Sequence, residues 1–270
     1  MVQSGFITHN QSIIHYRYGG SGPTPLICFH GYGETSLHFD FLEKKLGGRF
    51  SIIAIDLPFH GQTVWNEKYV LPGALADITQ RILEQLHLGG EQLHLLGFSL
   101  GGRLALCVLQ ELPQKVSKLV LLAPDGLKVN FWYWLATQSA VGNALFKFTM
   151  KRPGWFLGML RAGNRLRLIN QSIFKFVQYY IHDEKVRKDL YQRWTGLSKC
   201  TPDAVALKNI LSKGGIQIRL LYGKYDRIIT QQTGKKTLNS LPGCTIEVLD
   251  CGHQVLHEKN ATAIVRALES

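Results

Sequence analysis

The chain has no apolar run approaching the ~18 residues that a membrane-spanning helix needs. It opens on MVQSGFITHNQS, without the basic start and apolar block of a secretory signal, so a cytoplasmic protein is expected. Cysteine is sparse: Cys28, Cys107, Cys200, Cys244 and Cys251 are odd in number, scattered, and form no Cys-x-x-Cys pair. This pattern excludes a disulfide framework, supplies no zinc-ligand spacing, and fits buried thiols in a reducing compartment. No internal repeat or low-complexity tract is present, which sets aside solenoids and compositional linkers. Acidic residues are also in short supply, 19 Asp and Glu against 31 Lys and Arg, for a formal charge of +12. The excess is local: Gly126 to Cys200 holds thirteen Lys or Arg and three Asp or Glu. Such a surface suits nucleic acid, anionic lipid or an acidic small molecule. No nucleic-acid recognition motif accompanies the charge, which argues against the first.

What is present is a soluble, globular composition, 45% hydrophobic and 19% charged over 270 residues. That length supports one sizeable core with room for an inserted subdomain. Short strand-like runs occur at 12–18, 25–30, 51–56, 92–98, 117–123, 217–223 and 245–250, with helical spacing at about 75–88, at 100–111, after Thr230 and at 261–268. The runs around LICF and LVLLA are apolar throughout, as expected of parallel strands covered on both faces. After Gly126 the strand–helix alternation gives way to a basic, helix-spaced segment with fourteen aromatic residues, from Phe131 to Trp194. The expected organisation is therefore a core of residues 1–124 and 202–270, interrupted by a helical insertion, 125–201.

The stretch LLGFSLGGRLAL places Gly97, Gly101 and Gly102 around Ser99, between a predicted strand and a predicted helix. This is a G-x-S-x-G turn, in which the serine takes a strained backbone conformation and presents its hydroxyl at the sheet edge. The helix start behind it offers backbone N–H groups and a positive dipole end. Serine is a weak nucleophile until a base takes its proton. In LDCGHQVLHEKN, His253 falls in a loop between the last strand and the last helix, whereas His257 lies nearer the helix start. Asp226 in LLYGKYDRII follows a buried strand and would orient the imidazole; the order Ser, Asp, His is that of one known triad arrangement. Two other acids compete: Asp125, which also fits a plain Pro-Asp-Gly turn, and Asp250, at a strand end beside His253.

These residues resemble the α/β-hydrolase superfamily over the whole chain except the insertion. FHGYGET (29–35) is similar to its His-Gly oxyanion loop, and DLPFHGQT (56–63) to its D-x-P-G-H-G-x-S segment, with Phe59 in place of the glycine and Thr63 in place of the serine. The resemblance implies an α/β fold with a mostly parallel eight-stranded sheet, helices on both faces and an inserted lid. It implies oxyanion donors at the N–H groups of Tyr32 and Leu100, a close backbone approach at Gly31 and Gly33, and structural roles for His30 and His60. Gly31, Phe98 and Arg103 are expected beside the substrate. No metal or cofactor is implied, because the serine supplies the covalent step. The implied activity is ester hydrolysis through an acyl-enzyme, on a small or acyl-lipid-like substrate, with the basic aromatic lid a candidate for contact with an anionic membrane. Fold does not fix reaction. GFSLGGRLAL also resembles the menaquinone-pathway lyase succinyl-hydroxycyclohexadiene-carboxylate synthase, whose matching arginine holds an acidic substrate; here Phe98 stands where that family has tyrosine, and the insertion is longer. A non-catalytic ligand receptor is a third reading.

Overall fold

The computed structural model describes residues 1–90, 92–128, 131–166, 174, 181–238 and 241–270. These residues divide into two compact units, Met1–Lys128 with Lys199–Ser270, and Val129–Ser198.

The first unit is built on one eight-stranded sheet. Its strands are β1 (Gln3–His9), β2 (Ser12–Gly19), β3 (Thr24–Phe29), β4 (Phe50–Ile55), β5 (Leu93–Phe98), β6 (Val116–Leu122), β7 (Gln217–Gly223) and β8 (Cys244–Leu249). The order across the sheet is β1-β2-β4-β3-β5-β6-β7-β8. From β4 to β8 every neighbouring pair is parallel, while β2 runs antiparallel to both β1 and β4. The apolar runs occupy the centre, as both-face burial requires: Leu26 to Phe29 on β3 and Leu119 to Leu122 on β6 are fully buried. β1 has no counterpart among the strand-like runs above. It is an edge strand with mostly exposed residues, and too few of its side chains are buried to leave a clear alternation.

Helices α1 (Asp40–Leu46), α2 (Pro72–Gln85) and α3 (Leu100–Glu111) lie in the first half of the chain. α2 begins three residues ahead of its apolar pattern because Pro72 occupies the first turn, where its missing N–H costs nothing. α3 is buried from Leu100 through Leu109, the mark of a helix covered on all sides. After β3 the chain passes to β4 on one side, and β5 lies on the other. The carboxyl ends of β3 and β5 thus flank the point where the direction of winding reverses, the place where open α/β sheets bind ligands.

In the second unit, α4 (Phe131–Gln138), α5 (Ala140–Lys151), α6 (Gly154–Arg165) and α7 (Glu184–Gly196) are helical. Aromatic side chains join α4, α5 and α7: the Tyr133 and Trp194 rings are 5.4 Å apart, and Phe146 lies 5.4 Å from Tyr191 and 5.7 Å from Trp194. Asn143 cross-links the same helices, donating to Thr195 Oγ1 at 3.1 Å and accepting from Tyr191 Oη at 3.0 Å. Of the fourteen aromatics in the insertion, Phe176, Tyr179 and Tyr180 lie outside the described residues. The chain then returns to the first unit through α8 (Ala204–Ser212), α9 (Gln231–Thr237) and α10 (Ala261–Glu269).

Candidate active site

Ser99 sits between β5 and α3 with φ 50° and ψ −115°, a conformation L-residues avoid at a cost of about 1–3 kcal/mol. The glycines around it are close-approach positions. A Cβ on Gly101 would lie 1.9 Å from the carbonyl oxygen of Phe29, and one on Gly97 would lie 2.6 Å from the carbonyl oxygen of Gly101. The turn is tied to β6: Ser99 N–H donates to Leu122 O at 2.9 Å, and Asp125 N–H donates back to Ser99 O at 2.9 Å. These two backbone bonds, one to fully buried Leu122, hold the strained residue in place.

Asp226 and His253 arrive from the ends of β7 and β8. The Asp226 carboxylate is completely buried, with its Oδ1 accepting from the N–H groups of Ile228 at 2.7 Å and Ile229 at 2.9 Å. Its Oδ2 lies 2.7 Å from His253 Nδ1, and His253 Nε2 lies 3.0 Å from Ser99 Oγ. The His253 loop is fixed by Val255 N–H donating to His253 O at 2.8 Å, and Tyr225 N–H donating to Cys251 O at 3.0 Å. Because the carboxylate can only accept, the imidazole carries its hydrogen on Nδ1 and turns a lone pair on Nε2 toward the serine. Alcohol, imidazole and carboxylate thus form one continuous chain of hydrogen bonds.

The competing residues lie outside this chain of hydrogen bonds. His257 caps a short helical turn, its Nδ1 accepting from Lys259 N–H at 3.1 Å. Asp250 is exposed just beyond β8. Asp125 is paired with Arg103, Nε to Oδ2 3.6 Å, and accepts from Gly126 N–H at 2.8 Å. Arg103, expected beside substrate, is 4% exposed and packs against the Pro124–Gly126 turn, where a Cβ on Gly126 would lie 2.8 Å from its Cγ.

Of the two expected oxyanion donors, Leu100 is the first residue of α3, so its N–H has no partner within the helix. Tyr32 follows Gly31 in the loop after β3. His30 pins that loop. Its Nε2 accepts from Leu57 N–H at 3.0 Å, which leaves Nδ1 to donate to Gly31 O at 2.8 Å. The Tyr32 ring meets His60 edge-on at 5.9 Å. Gly33 has φ 76°, open to glycine at no steric cost. Phe98 touches both sides of the site: a Cβ on Gly31 would lie 2.8 Å from its ring, and its ring centroid is 5.4 Å from that of His253.

Beneath the loop lies a buried pair, Asp56 and His15, of which the sequence marks only Asp56, at the head of the DLPFHGQT segment. Asp56 Oδ1 accepts from Ser36 N–H at 2.7 Å; Oδ2 accepts from Gln62 N–H at 2.8 Å and faces His15 Nδ1 at 2.8 Å. Burial pushes the carboxyl pKa up, but the N–H bonds from Ser36 and Gln62 and the His15 contact outweigh it and hold the pKa below its ordinary value. Phe59, in the position where the resembled motif has glycine, has φ 66°, so the fold demands a left-handed residue there and this chain meets the demand with a strained phenylalanine. Among the described residues no cluster of His, Cys, Asp or Glu could hold a metal ion, and no helix is long and apolar enough to cross a membrane.

A family model described as the alpha/beta hydrolase fold matches residues 24–260. An uncharacterized hydrolase of Bacillus subtilis, YugF, is 25% identical over 258 residues, covering 94% of this chain and 92% of the relative. Monoacylglycerol lipase abhd6-B of Xenopus laevis is 26% identical over 263 residues, covering 93% of this chain and 76% of the relative. Among solved structures, a thermophilic esterase from Thermogutta terrifontis aligns with a TM-score of 0.71 at 17% identity, over 99% of this chain and 98% of the other.

Proposed function

The chain belongs to the α/β-hydrolase fold family, and we propose that within it this protein is a serine hydrolase acting on carboxylic esters through an acyl-enzyme. The observation that carries this reading is the hydrogen-bonded chain from Asp226 through His253 to Ser99. In the first half-reaction Ser99 Oγ attacks the ester carbonyl carbon while His253 Nε2 takes the hydroxyl proton. Asp226 holds the imidazole and stabilises the cation that forms. Negative charge moves to the carbonyl oxygen, where the N–H groups of Leu100 and Tyr32 are the donors; one such donor is worth ~3 kcal/mol in the transition state. His253 then returns the proton to the departing alcohol. Water repeats the sequence on the acyl-enzyme and frees the acid.

In this reading the insertion, 125–201, is the lid that selects the ester. Its surface favours an acyl-lipid substrate met at an anionic lipid surface. Val141, Leu145 and Phe148 recur at helical spacing along one exposed side of α5, with exposed Trp155 and Met159 on α6 and Phe131 and Trp132 on α4. Exposed Lys147, Lys151, Arg152, Arg161 and Arg165 lie on or next to α5 and α6 and would match anionic headgroups. The similarity to a monoacylglycerol lipase supports the same substrate class.

A fluorophosphonate probe, followed by a panel of p-nitrophenyl esters of rising chain length, tests the chemistry. Wild-type protein should be labelled and should turn over esters, and Ser99→Ala should do neither. Absence of labelling and turnover in the wild type refutes the hydrolase reading. Flotation with vesicles containing anionic lipid at low salt tests the surface; protein left entirely in the unbound fraction refutes lipid contact.

A further inference from the structure

The candidate oxyanion donor and the candidate base lie on loops far apart in sequence, and one side chain joins them. Glu34 Oε2 accepts from Gly31 N–H at 3.0 Å, and Glu34 Oε1 accepts from Gln254 Nε2 at 2.6 Å. Gln254 directly follows His253, and its amide also donates to Leu256 O at 3.1 Å. The main chain of Glu34 adds a third bond, its N–H donating to Gly31 O at 3.2 Å.

These bonds bear on the donor itself. The Gly31 carbonyl and the Tyr32 N–H belong to one planar peptide group, in which they point in opposite directions. The carbonyl is held from two sides, by His30 Nδ1–H and by Glu34 N–H. Its direction therefore sets the direction of the Tyr32 N–H. The Glu34 carboxylate restrains the preceding peptide through Gly31 N–H and carries the restraint across to the His253 loop. Both of its oxygens are used, and both partners are donors. The bridge therefore needs two separate accepting oxygens on one side chain.

We infer that Glu34 is a positioning residue that locks the oxyanion-loop peptide in register with the loop bearing His253. The inference rests on the serine-hydrolase reading above. Glu34→Gln keeps one accepting oxygen for two donors, so it breaks one end of the bridge. Gln254→Glu alone sets two carboxylates against each other. The double substitution Glu34→Gln with Gln254→Glu rebuilds the bridge in reverse: the amide introduced at 34 donates to the carboxylate introduced at 254, and its carbonyl still accepts from Gly31; the bond from Gln254 to Leu256 O is lost in it, as it is in Gln254→Glu alone. A third single variant, Gln254→Ala, breaks the far end and leaves the Gly31–Glu34 turn intact.

The experiment measures kcat, KM, fluorophosphonate labelling rate and melting temperature for wild type, the three single variants and the double variant. Misplacement of a donor by a fraction of an ångström should lower kcat and the labelling rate about ten- to a hundred-fold, with KM within about threefold. Glu34→Gln and Gln254→Ala should both show this loss with melting temperatures near wild type, and the double variant should exceed Gln254→Glu, which shares its missing Leu256 bond, about ten-fold in kcat. Glu34→Gln and Gln254→Ala within about twofold of wild type in kcat, or a double variant no better than Gln254→Glu, overturn the inference while leaving the hydrolase reading intact. A wild-type protein that neither reacts with the probe nor hydrolyses any ester overturns the hydrolase reading, and the inference with it.

Discussion

Asp226 does two jobs, and two substitutions separate them. Its Oδ1 takes the N–H groups of Ile228 and Ile229, which shape the loop after β7; its Oδ2 faces His253 Nδ1. Asparagine at 226 keeps an oxygen for the two loop N–H groups and turns its NH2 toward the imidazole. Nδ1 must then accept, so the ring hydrogen moves to Nε2, where it points at Ser99 Oγ and blocks proton transfer. The expected loss in kcat is about 10³–10⁴-fold, or ~4–5 kcal/mol of transition-state stabilisation, with little change in melting temperature. Alanine at 226 removes the oxygen as well and leaves two loop N–H groups without their acceptor. It should match the loss in kcat and also destabilise the fold by about 1–3 kcal/mol, a fall of roughly 2–4 °C per kcal/mol. Ester hydrolysis measured beside differential scanning calorimetry reads both quantities. An asparagine variant that retains more than about a tenth of wild-type kcat would refute this account of the imidazole tautomer and return Asp125 to consideration as the orienting acid.

Three further outcomes follow from particular contacts. Gly101→Ala places a Cβ 1.9 Å from the Phe29 carbonyl oxygen, backbone against backbone in a full core, so it should destabilise by about 3 kcal/mol or more and lower activity together; calorimetry showing an unchanged melting temperature contradicts the close approach. His94 is pushed down from 6.5 to about 4, by burial first and by neighbouring Lys118 second. The unfolded chain therefore takes up a proton near pH 6.5 that the folded chain refuses until about 4, and stability should fall by up to about 3 kcal/mol across that interval; denaturant titrations of His94→Gln should lack that slope. Asp56, with its pKa lowered, contributes stability that is complete above the ordinary carboxyl value of 3.8 and is lost as pH falls through its folded value. Asp56→Asn, which cannot accept at every position the carboxylate does, should cost about 2–4 kcal/mol at neutral pH, read by chemical denaturation.

The chain's own order of residues determined the features that depend on near neighbours. The apolar runs on β3 and β6 announced a buried parallel sheet, and Gly97, Gly101 and Gly102 announced the turn at Ser99, because steric exclusion at a tight turn acts between residues a few positions apart. β1 escaped notice because an exposed edge strand carries little apolar alternation, and α2 began early because Pro72 signals a helix start that periodicity alone does not mark. Tertiary structure brought Asp226, the acid that local sequence already favours, to His253 ahead of two competitors: packing gave Asp125 to Arg103, left Asp250 exposed, and buried Asp226 against the imidazole. It also decided the pairing of His15 with Asp56, and that of Glu34 with Gln254 across 220 positions. Such pairs leave no periodic trace, because a hydrogen bond depends on where the sheet brings two loops together and not on how many residues separate them.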